Sequence, residues 1–148
     1  MPHSFRFVIC EPKKHWSVAI KRAWRSIGPR LSKRVLMEES SNFAYGWSLV
    51  NGSAAAFLVL DATGIGCDAL MEAFEELRRE APFVRFAVVG DRHLTDKEAA
   101  FREAGAVHFL TNIRDAEQLA RVAARHFESM PEPERTLEEK IWDGLPWG

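Results

Sequence analysis

Residues 55–66 read AAFLVLDATGIG: six apolar residues, an aspartate where the run stops, and two glycines one residue apart. An unbroken apolar run of that length suits a strand buried on both faces, as in a parallel sheet. The acid at its end falls where parallel α/β sheets hold their ligands, at the carboxyl edge of the strands. Working outward, FRFVIC at 5–10 and VRFAVV at 84–89 have the same character, and VLM at 35–37 and VHFL at 107–110 are shorter versions. Amphipathic stretches separate these runs. Over 13–27, Trp16, Ala19, Ile20, Ala23, Trp24 and Ile27 form an i, i+3/i+4 stripe with Lys and Arg opposite. A second helix is predicted from Ser40 or Ser41 to Val50. A third opens at Cys67 or Asp68 and runs to Glu80, with Leu70, Phe74 and Leu77 on its apolar face. A fourth covers 95–104 and a last one 115–127.

Punctuation agrees with this division. Pro12 suits a helix start, and Gly28-Pro29, Asn51-Gly52 and Pro82 mark helix ends. Gly64 and Gly66 supply a turn. Thr95-x-x-Glu98 reads as a capping box, Gly105 as a C-terminal cap and Asp115 as the start of the last helix. Five βα units in tandem predict an α/β fold of three layers, a doubly wound five-stranded parallel sheet of order 2-1-3-4-5 with helices on both faces. The domain is assigned to residues 1–128. Residues 129–148 form an acidic linker followed by a tail in which Ile141, Trp142, Leu145 and Trp147 are candidate partner-binding residues. Such a tail docks either on its own domain or on another molecule.

Composition narrows the class. With 148 residues, 47% hydrophobic and 28% charged, the chain carries enough apolar surface for one core and is not a disordered segment. Two cysteines do not make a disulfide scaffold. Arg6, Glu11, Lys13 and Lys14 interrupt any apolar leader, so a reduced, cytoplasmic setting without membrane insertion is expected. Residues 1–34 hold nine Lys and Arg against Glu11 alone, while the remainder holds 11 against 20 acids. That asymmetry is either the solvated face of the first helix or a surface for an acidic partner. In the first helix one tryptophan is expected in the core and the other at the rim. A sequence pI near 6.5 disfavours nucleic acid as the main partner.

The carboxyl ends of the predicted strands carry Cys10 and Glu11, Asp61, Gly90 and Asp91, and Thr111 and Asn112. Asp61 and Glu11 would converge at the switch crevice between the first and third strands. Two neighbouring carboxylates there either bind a divalent cation or each cap a helix or turn. The histidines and cysteines show no metal-ligand spacing, and neither a dinucleotide fingerprint nor a nucleophile elbow occurs.

The run AFLVLDATGIG, its spacing to RFAVVG, and EAGAVHFLTN resemble the receiver domain of two-component response regulators over roughly residues 5–127. The resemblance implies the five-unit fold and a phosphoryl-accepting aspartate after the third strand, which falls on Asp61. It also implies an acidic pair that holds Mg²⁺, a hydroxyl residue after the fourth strand, a lysine after the fifth and an aromatic switch position on it. Here those positions hold Cys10-Glu11, Gly90, Asn112 (followed by Ile113 in place of the usual proline) and Phe109. A thiol is a poor ligand for Mg²⁺, and removing one electrostatic stabiliser of phosphoryl transfer costs ~10²–10³ in rate. Arg92 is the one neighbour placed to substitute for the lysine, though a solvated loop is its default. Alternation along the fifth strand should turn Thr111 away from the site.

The reading from sequence is therefore a degenerate receiver: a non-enzymatic signalling module that works through protein–protein contact, without phosphorylation, cofactor or metal. Two alternatives stand beside it. One is a slow phosphoacceptor using Asp61 and Glu11 with Mg²⁺ in a phosphorelay; the other is a small-ligand sensor in the same crevice.

Overall fold

The computed structural model describes residues 5–130 apart from 28, 30, 32, 52 and 82. The glycines at 28 and 52, Pro82 and the tail from 131 onward, with its Ile141, Trp142, Leu145 and Trp147, thus lie outside the described residues. Five strands, β1 (Phe5–Cys10), β2 (Val35–Ser40), β3 (Ala55–Asp61), β4 (Val84–Val89) and β5 (His108–Leu110), form one sheet of order β2-β1-β3-β4-β5. Every pairing is parallel, with Phe5 beside Val35 and Ala55, and Asp61 beside Val89. The helices are α1 (Trp16–Ile27), α2 (Phe43–Val50), α3 (Ala62–Ile65), α4 (Cys67–Glu80), α5 (Glu98–Glu103) and α6 (Ala116–Ser129). The predicted architecture and strand order are those observed. Among the described residues, no helix is long and apolar enough to cross a membrane.

Two cores follow from the two-residue repeat of the strands. Phe5, Phe7, Ile9, Phe57, Val59, Ala87, Val89 and Leu110 point to one face, where Trp16, Ile20 and Trp24 of α1 and Leu119, Ala123 and Phe127 of α6 cover them. Val8, Cys10, Leu58, Leu60, Val88 and Phe109 point to the other, under α2, α4 and α5. Phe7 is central to the first core. Its ring lies 5.1 Å from Trp24, edge to face, and 5.6 Å from Phe57. Both Trp16 and Trp24 are buried, so neither is the rim residue expected. One apolar stripe points both indoles at the same sheet.

Several boundaries differ from the predicted ones. Helix α1 begins at Trp16, three residues later than predicted, because residues 12–15 form a turn. β2 runs on to Ser40, past the predicted VLM. Its Glu38 pairs with Arg6 and its Glu39 with Lys21, which lets charged residues extend an edge strand. Ser40 is accordingly strand, and the N-cap of α2 is Asn42, whose side chain accepts from Tyr45 N at 2.8 Å. The predicted turn at 64–66 is the short helix α3 ended by Gly66 at φ 91°. Thr95 does not open a capping box: its hydroxyl donates to the Arg92 carbonyl at 2.9 Å, inside a 3-10 run over Arg92–Lys97. Asp91 caps that run through His93 N. Gly105 ends α5 at φ 113° as expected. A 3-10 turn over Ile113–Asp115 precedes α6, and Asp115 makes no side-chain cap there.

Candidate functional site

Strands β1, β3, β4 and β5 end on one side of the sheet, and their loops enclose a crevice of about 590 Å³. Asp61 and Glu11 both line it, as predicted. The strand repeat explains why: Glu11 continues the parity of Phe7 and Ile9, and Asp61 that of Phe57 and Val59.

Cys10 has the opposite parity and leaves the site. Its sulfur faces the other core, where a Cβ built on Gly46 of α2 would overlap it. Burial pushes its thiol up to about 12, against a smaller lowering by the Ser40 hydroxyl. Grouping Cys10 with the acidic pocket is therefore corrected. It is a neutral core thiol.

Glu11 is 7% exposed, and its carboxylate is spent on the backbone of α1. One oxygen accepts from Trp16 N at 3.0 Å and the other from Ser17 N at 2.6 Å. The first amides of a helix lack internal partners and sit at the positive end of its dipole, so a buried carboxylate there satisfies both at once. Asp61, half-buried, accepts from Thr63 N at 2.9 Å and caps α3. Asp91 accepts from His93 N at 3.0 Å. All three carboxylates on the crevice wall are thus local caps.

The other positions that resembled a receiver are filled in the same economical way. A Cβ on Gly90 would stand 2.7 Å from a Leu94 methyl and 3.4 Å from the Thr63 hydroxyl. Leu94 therefore occupies the space of the expected hydroxyl residue. Thr63 brings a hydroxyl instead, accepting from Asp91 N at 3.2 Å. Asn112 caps the 3-10 turn through Arg114 N at 3.0 Å, and Ile113 packs on the α1/α6 core. Phe109 is a buried core ring, 5.5 Å from Phe101.

Positive charge is not missing, contrary to the sequence reading. Lys13, Arg92 and Arg114 all line the crevice. Arg92, expected as loop, is exposed but on the wall. Lys13, expected on the basic face of the first helix, and Arg114 each lie within four residues of a strand end, close enough for the loop to carry them to the carboxyl edge. Thr111 also lines the crevice, because β5 stops at Leu110 and alternation no longer governs the next residue. Thr63 could have been anticipated as the residue whose amide Asp61 would cap.

The resemblance implies Mg²⁺, and this donor set does not fit it. A hard cation wants several open oxygens, whereas Glu11 has both of its oxygens on amides and Cys10 offers a buried thiol on the far face. Among the described residues, no group of three His, Cys, Asp or Glu is placed to hold a metal ion. Three cations share the wall with Asp61.

No protein-family description and no curated protein matches this sequence. Solved structures do. A response regulator from Thermotoga maritima superposes with a TM-score of 0.65 at 14% identity, over 84% of this chain and 98% of that one. An orphan response regulator of H. pylori gives 0.63 at 12% identity, over 85% and 98%. A CheY-like receiver domain protein from Methanospirillum hungatei gives 0.60 at 12% identity, over 86% and 100%. The chain is a doubly wound α/β protein of the flavodoxin-like class. Its particular fold is the receiver fold of response regulators.

Proposed function

We propose that this chain is a receiver-type signalling module that acts by binding other proteins in the cytoplasm, is not an enzyme and does not take a phosphoryl group on Asp61. The observation that carries this reading is the employment of the acids: Glu11, Asp61 and Asp91 each cap a helix or turn with a backbone amide. Phosphoryl transfer depends on positioned groups that neutralise developing charge. Here the acid that would help hold a metal is instead structural, and the neighbouring position is a core thiol. What the fold offers a partner is a five-stranded sheet with helices on both faces. The test is incubation with acetyl phosphate and Mg²⁺ followed by intact-mass measurement. No added phosphoryl mass is expected; stoichiometric incorporation lost in Asp61→Ala overturns the proposal.

A second reading, a small-ligand sensor, is favoured by the crevice itself. Its volume of about 590 Å³ falls within the range of ~300–1,000 Å³ usual for ligand sites. Lys13, Arg92 and Arg114 with Thr63 and Thr111 offer donors to an anion or polar group. A thermal-shift screen checks it, since a ligand held only by the folded state raises the melting point.

A further inference from the structure

We propose that a groove between α1 and the start of α6 extends the Asp61 crevice into a two-part site for a soluble phosphate monoester with an apolar body, the body lying in the groove and the phosphate on the crevice side. This deepens the small-ligand reading above and rests on it. The groove encloses about 590 Å³, and its floor is Val18, Ala19, Ala23 and Ile113. Val18 is 54% exposed, on a helix surface whose other exposed residues include Arg22 and Arg25. His15, Ile113 and Arg114 line the groove and the crevice alike, so the two compartments adjoin.

Along this trough the acids are engaged and the cations are not. In the groove the acidic lining residue is Glu117, and Arg121 holds its carboxylate at 2.6 Å. In the crevice Glu11 has both oxygens on amides, while Asp61 and Asp91 each accept from a turn amide. Lys13, Arg22, Arg92 and Arg114 have no ion-pair partner among the described residues. Thr63 and Thr111 add hydroxyls to the crevice wall. The Thr63 oxygen accepts from Asp91 N at 3.2 Å, which leaves its proton to donate.

Those donors select the ligand. A phosphate monoester carries a charge of about −1.5 to −2 near neutral pH and three strong acceptor oxygens. A guanidinium fork meets two of those oxygens at once. A carboxylate brings one charge and two oxygens, and leaves part of this donor set unused. The apolar floor selects the rest of the molecule, because removing the Val18 and Ile113 side chains from water is favourable only if an apolar group covers them. Inorganic phosphate leaves that floor wet.

The test titrates hexyl phosphate, inorganic phosphate and hexanol into the full chain by isothermal calorimetry at about pH 7.5, where the phosphates are mostly doubly charged. Hexyl phosphate should bind at least about tenfold more tightly than either of the others, since burying two methylenes is enough for that factor. Arg114→Ala should weaken both phosphates, and Val18→Asn should weaken hexyl phosphate by about threefold or more. Equal affinity for hexyl and inorganic phosphate overturns the proposal and leaves the crevice as a sensor of polar anions. Equal affinity for hexyl phosphate and hexanol overturns it by removing the role of the cations. Tight binding of hexyl phosphate that neither substitution weakens places the site elsewhere and overturns it too. No binding of either phosphate at millimolar levels overturns it and takes the anion-sensing reading of the crevice with it. The comparison of the three probes uses the unaltered chain and does not depend on either variant folding.

Discussion

Replacing Glu11 separates a structural acid from a metal-binding one, because the two roles predict opposite signs. In Glu11→Ala the amides of Trp16 and Ser17 lose acceptors at 3.0 and 2.6 Å in a site that is 7% exposed. A hydrogen bond to a charged group contributes about 1.5–3 kcal/mol, and a helix N-cap about 0.5–2 kcal/mol. The two bonds act on one helix end and are not additive, so the expected loss is about 2–4 kcal/mol. Glu11→Gln keeps one acceptor but turns an amide N–H toward the other donor, and should cost about half as much. Urea unfolding followed by far-ultraviolet circular dichroism measures this, and the denaturant slope should be unchanged. For a domain of this size the melting point should fall by about 5–15 °C. If Glu11 instead faced Asp61 chiefly as a like-charged neighbour awaiting a cation, removing its charge would relieve repulsion and raise stability. A stability unchanged within about 0.5 kcal/mol, or increased, refutes the capping argument.

Three further outcomes follow from the packing. Gly46→Ala places a Cβ against the Cys10 sulfur and should destabilise by about 1–3 kcal/mol; Cys10→Ala, itself costly, should relieve much of that penalty in a double-mutant cycle. Burial lowers the His126 imidazole, partly opposed by its contact with the Ala56 carbonyl, and burial likewise lowers His108. Because the folded state favours the neutral rings, their contribution is intact above about pH 6.5, the ordinary histidine value, and is lost as pH falls through the lowered values. Urea midpoints between pH 7.5 and 5 should show this, and His126→Gln should flatten the dependence. Gly105→Ala forces a left-handed φ of 113° on a side chain whose Cβ would lie 3.3 Å from the Phe86 ring, so a melting point within 1 °C of the parent would contradict the strain assigned to it.

Much of the architecture was legible because burial writes itself into residue order. The six apolar residues before Asp61 required a strand covered on both faces, and the stripe from Trp16 to Ile27 required a helix against one of them. The strand repeat even held the answer for Cys10: one residue from Glu11, it had to face the opposite core. The boundaries that moved lie where short-range hydrogen bonds compete. Thr95 donates to Arg92 rather than capping, and Glu38 and Glu39 extend an edge strand by pairing with Arg6 and Lys21. The first choice is made within one turn, and the second between segments far apart in sequence.

By itself, then, the order of residues determined the layers, the strand sequence and the placement of Glu11 and Asp61 on one crevice, since parity and hydrophobic periodicity are local properties. Only the tertiary structure decided what those acids do. The fold brings the amides of Trp16 and Ser17 within reach of Glu11, seats Leu94 beside Gly90, and carries Lys13, Arg92 and Arg114 from three loops to one crevice. A carboxylate takes whichever donor the packed chain presents, and that is set by the path of the loops rather than by the residue's own chemistry.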